Sequence, residues 1–110
     1  MAAIVIQVRL DGRGPGIILD DGRSSGRDIT TVVKNNDTVQ WKLSANSGIT
    51  SLNGIKDSST NVFDPNPTRQ SDGSWLGTVK SSPGKVESYL VEYTFKGNKY
   101  NNDPKIQVNP

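Results

Sequence analysis

The chain has 110 residues, 32% of them apolar, and a formal net charge of +2, which suits one domain spanning residues 1–110 around a single modest core. Acidic and basic residues interleave without a basic run, so nucleic-acid binding is not expected. Histidine and cysteine are both absent, which excludes imidazole bases, thiol nucleophiles, disulfides and metal sites built from those ligands.

The N-terminal stretch alternates: Ile4, Ile6, Val8 and Leu10 share one face, and Val5, Gln7 and Arg9 the other. This period of two predicts a strand over Ala3 to Leu10, ended by Asp11-Gly12. The stretch has no basic leader and is too short and broken to be a signal peptide or a membrane span, so a cytoplasmic location and no membrane partner are expected. A loop-rich segment follows, carrying Arg13, Arg23 and Arg27 among five glycines and a short apolar island from Ile17 to Leu19. No strand–glycine–helix context makes it a phosphate loop, so it reads as a solvated loop.

Asp28 to Val33 predicts a second strand, and Asn35-Asn36-Asp37 a turn. Asn36-Asp37-Thr38 has the glycosylation pattern, but the turn explains it without a sugar. Thr38 to Leu43 alternates sharply, sending Val39, Trp41 and Leu43 inward. Ile49 to Ile55 is a weaker strand. Val62-Phe63 precedes a loop in which Pro65 and Pro67 forbid a central sheet position. Trp75 to Lys80 predicts a strand, and Ser81 to Lys85 a turn.

Val86 to Lys96 is the longest regular segment, with Tyr89, Val91, Tyr93 and Phe95 on its core face. Lys96 to Lys105 reads as a loop, and Lys105 to Val108 closes the domain with Ile106 and Val108 inward. Seven to nine strands at this spacing predict an all-β fold, an antiparallel Greek-key sandwich of cupredoxin-like or immunoglobulin-like type.

Three segments carry a family resemblance. "NNDTVQW" resembles the cupredoxin strand that follows a Gly-Asp-Thr-Val turn, "ESYLVEYTF" the late tyrosine-bearing strand, and "DPKIQVNP" a closing strand. A blue-copper site needs two imidazoles and a thiolate, which this chain does not possess, so the resemblance implies the scaffold without the metal and no cofactor is expected. Asp37, Val39 and Trp41, followed by a Tyr-rich strand and Asp103-Pro104-x-Ile106-x-Val108, also resemble bacterial inclusion-body proteins of the AidA/PixA type. That likeness implies a fold and, at most, assembly, not a reaction.

Catalysis is not expected. The only two glutamates, Glu87 and Glu92, sit an odd number of residues apart on one strand and therefore face opposite sides. Calcium would take oxygens from Asp20-Asp21 or from Asn101, Asn102 and Asp103, but Asx turns explain these residues better. Two function classes remain. The first is a non-enzymatic protein that self-assembles or binds another protein, with Ala3 to Leu10 as the edge strand offered to a second copy. The alternative is a carbohydrate- or ligand-binding module using Trp75 and Tyr100 with Asn101, Asn102 and Asp103.

Overall fold

The computed structural model describes residues 2–57, 62–63, 66–81, 83–84 and 86–109. Pro65, Ser82 and Lys85, which the sequence places in loops, lie outside the described residues. Eleven strands form among the described residues, and those residues contain no helix. They are β1 (Ala3–Leu10), β2 (Ile17–Asp20), β3 (Ser25–Gly26), β4 (Thr30–Lys34), β5 (Thr38–Leu43) and β6 (Ser51–Asp57). The rest are β7 (Thr68–Arg69), β8 (Trp75–Thr78), β9 (Val86–Phe95), β10 (Asn98–Asn102) and β11 (Lys105–Asn109).

The expected count of seven to nine falls short because four strands, β2, β3, β7 and β10, lie in segments that read as loops. β2 is the apolar island, drawn onto β1 as an antiparallel hairpin that buries Ile17 and Leu19. The loop before it is tied down: the Arg27 guanidinium lies over Gly16 and pairs with Asp11 at 2.8 Å. β10 returns along β9 through a tight turn in which Lys96 (φ 51°) and Gly97 (φ 78°) are both left-handed, the requirement of a two-residue hairpin loop.

The strands form two sheets, ordered β3-β2-β1-β5-β8-β7 and β10-β9-β11-β4, with β6 on the other edge of β9. Neither sheet is purely antiparallel, which corrects the expectation. β1 runs parallel to β5, and β4 parallel to β11. Parallel neighbours need crossover connections, and here the chain supplies them by passing between sheets.

Inner side chains of both sheets meet in one buried cluster, including Ile6 and Val39 from one sheet and Val91, Ile106 and Val108 from the other. Trp41 lies at its centre, fully buried, with edge-on contacts to Phe63 and Tyr89 at 5.5 Å between ring centroids. Its indole N–H donates to the Tyr89 hydroxyl at 3.2 Å. Burial pushes the Tyr89 phenol above its ordinary range, and the Trp41 bond only partly offsets this. Tyr93 is also in the cluster, and Leu43 packs against it half-buried. Phe95, expected in the core, is instead half-buried near the β9–β10 turn, where its ring lies 6.5 Å from that of Tyr100 and 5.3 Å from Lys96 Nζ. It occupies the last position of β9, where its ring lies beside Gly14 of the loop after β1.

Asp37 fastens three elements. Its buried carboxylate accepts the amide N–H of Ala2 at 2.8 Å and of Lys34 at 2.9 Å, and its carbonyl accepts Val79 N–H at 2.8 Å. Asn36 takes φ 75° in the turn beside it. The Asx motif legible in the sequence therefore holds the start of β1 against the β4–β5 turn. No helix among the described residues is long and apolar enough to cross a membrane.

Candidate functional site

The first site is an unfinished sheet edge. β2 pairs with β1 only from Gln7 to Leu10, while β5 pairs with β1 from Ala3 to Val8 on the other side. The main-chain direction follows from the amide of Thr38, which donates to Ala2 O at 2.9 Å. Groups of Ala2, Ile4 and Ile6 therefore face β5, and those of Ala3 and Val5 face outward. The outward N–H and C=O of Ala3 and Val5 meet no partner among the described residues. The sequence expectation of a whole edge strand over Ala3 to Leu10 is thus corrected: its second half is covered and only its first half is open.

Among the described residues, β4 is also unpaired on one edge, beside the same hollow. Lys105 N–H donates to Ile29 O at 2.9 Å, so alternate groups of β4 face β11 and those of Thr30 and Val32 face away. Between these two edges lies a hollow of about 200 Å³, bordered by Ala3, Val5, Thr31 and Val32 with Asp21 and Arg23 at its rim. Val5 (38% exposed) and Val32 (36%) are two of only four large hydrophobic residues exposed among the described residues. The buried hydroxyl of Thr31 has no hydrogen-bond partner among the described residues.

The second site holds part of the residue set expected to bind ligand. Trp75 opens β8 half-buried, and its indole N–H donates to Leu52 O at 3.2 Å. The turn before it is fixed by Asp72, which accepts the hydroxyl of Ser74 at 2.6 Å and its amide at 2.9 Å. Those two bonds, the hydroxyl first, hold the Asp72 carboxyl below its ordinary range. Trp75 borders a hollow of about 420 Å³ together with Asn53, Lys56, Pro67 and Glu92. A neighbouring hollow is lined by Asn53, Glu92, Lys99, Tyr100 and Asn101, so Asn53 and Glu92 belong to both.

Tyr100 is not in a loop. It lies opposite Tyr93 on β10 and stacks on that ring at 5.7 Å, which leaves only part of it at the hollow. Asn101 and Asn102 alternate on β10 and so point to opposite faces. Asn102 spends its side-chain amide on Arg27 O at 2.7 Å, and Asp103, exposed, follows the strand. The structure therefore brings Trp75 and Asn101 to adjoining hollows and turns Asn102 elsewhere. Asp20 and Asp21 each accept amides of the β2–β3 turn at 2.8–2.9 Å, in the Asx geometry the sequence suggested.

Glu92, Asn53 and Lys56 line these hollows, and the sequence does not mark them as a group. Glu92 was legible as an outward position on β9, opposite in face to Tyr93. Its partner Lys56, 3.1 Å away, comes from β6 and no local pattern announces the pair. Compared with known proteins, the chain matches no family model and no curated relative.

Proposed function

We propose that the chain is a non-enzymatic assembly module that pairs with a second copy of itself through the open half of β1. The observation that carries this reading is the coincidence of two unfinished strand edges with two exposed valines around one hollow. Unpaired edge groups template strand addition, and no described residue pairs with the outward groups of Ala3 and Val5. In an antiparallel pairing about a two-fold axis at Ile4, Ala3 of each copy lies opposite Val5 of the other, and each such pair exchanges two N–H···O bonds. Val5 is then covered from both sides. The rim carries Asp21 and Arg23 together, opposite charges on one patch, which suits a surface that meets its own copy.

The lack of imidazole and thiol groups supports a role without catalysis. The inclusion-body resemblance of the Asp37-Val39-Trp41 strand supports assembly, and the two-sheet core with Trp41 at its centre supports a Greek-key sandwich of cupredoxin-like or immunoglobulin-like type. A cytoplasmic setting belongs to the same reading.

Sedimentation velocity tests it. The measured mass is expected to rise from one chain toward two as concentration increases. Val5→Pro deletes an N–H that the chain's own sheet does not use, so this variant keeps its fold and remains a single chain. A wild-type chain that stays single at every concentration overturns the reading, as does a Val5→Pro variant that dimerises unchanged.

A further inference from the structure

We infer that the outer face of the second sheet, across β6, β9 and β10, is a binding site for a neutral saccharide chain. This inference is independent of self-association, because none of its residues borders the hollow beside β1. Gly54, Glu92 and Asn101 lie in register across the three strands. Two inter-strand steps span about 10 Å, room for roughly two sugar rings laid across the strands.

Glu92 is the centre of the row. Gly54 has no side chain, and the Glu92 carboxylate occupies that space: a Cβ on Gly54 would lie 2.5 Å from Oε1. Lys56 Nζ holds the same oxygen at 3.1 Å, yet the Glu92 side chain remains one-third exposed and Lys56 two-thirds exposed. A carboxylate acceptor beside an ammonium donor matches two neighbouring hydroxyls, each of which both donates and accepts. Asn53 and Asn101 add amides to the two adjoining hollows.

Trp75 supplies the apolar half of the recognition. Its N–H is already spent on Leu52 O and its ring packs partly against the core, which fixes it and leaves its smaller exposed part for contact rather than for hydrogen bonding. A sugar ring presents C–H faces and a hydroxyl rim, and a fixed indole beside acceptors and donors answers both. An extended peptide fits less well. The bulge between Leu52 and Gly54 and the exposed Lys56 blunt β6 against an added peptide strand.

The test is an amide-resolved NMR titration of the full chain with cellohexaose, xylohexaose and chitohexaose at millimolar concentration. Shifts are expected at the amides of Gly54, Glu92 and Asn101 and at the Trp75 indole for at least one of them. Glu92→Gln is expected to weaken that binding about tenfold by removing a charge-assisted bond. Asn101→Ala, at an exposed position, is expected to weaken it without altering the fold. No shifts with any of the three sugars, shifts confined to another surface, or binding that ignores both substitutions would each overturn the inference.

Discussion

Replacing Trp41 with alanine is expected to lower the unfolding free energy by about 3–5 kcal/mol, the range for truncating a buried aromatic. Trp41 is fully buried and contacts Phe63 and Tyr89 edge-on, so its removal opens a cavity lined by groups from both sheets. It also strips the Tyr89 hydroxyl of its Trp41 donor in a dry environment. The wall of the cavity is rigid, because Val39 and Leu43 are fixed in register with Ile4 and Val8. Urea unfolding followed by circular dichroism measures the loss. Equal midpoints for variant and parent would remove Trp41 from the centre of the core.

Asp37→Ala is expected to cost roughly 2–4 kcal/mol, because it leaves two part-buried amides without their acceptor. The damage is not local. Ala2 loses its tether to the β4–β5 turn, and with it the first half of β1 loses its anchor. Asp37→Asn keeps one side-chain oxygen and is expected to fall between the parent and the alanine variant. The same urea experiment ranks the three. An alanine variant as stable as the parent would show that main-chain pairing with β5 alone holds the start of β1.

The elements most legible in the sequence are those whose alternation agrees with their burial. Val39 and Trp41, Tyr89, Val91 and Tyr93, and Ile106 and Val108 all face the core as their spacing predicts. β10 was not legible, because Asn98, Lys99, Asn101 and Asn102 offer no apolar alternation and only Tyr100 marks an inward position. Its existence depends on β9 as a template and on the left-handed pair Lys96-Gly97. β2 was masked by the glycines and arginines around a four-residue strand.

Strand direction is a property of connections, not of local pattern. The parallel pairings of β1 with β5 and of β4 with β11 could not be read from hydrophobic spacing. Those pairings decide which groups stay free. The sequence offered the whole of Ala3 to Leu10 as an edge, and only the length of β2 decides where cover ends. On the second site the aromatic Trp75 was visible, whereas the Lys56–Glu92 pair depends on β6 lying beside β9.

The most direct measurement of the open-edge claim is amide hydrogen exchange at Ala3 and Val5, compared between dilute and concentrated protein. These two amides are predicted to exchange freely when dilute and to become protected as concentration rises, while Ile4 and Ile6, bonded to β5, stay protected throughout. Rates for Ala3 and Val5 that do not change with concentration would contradict the account.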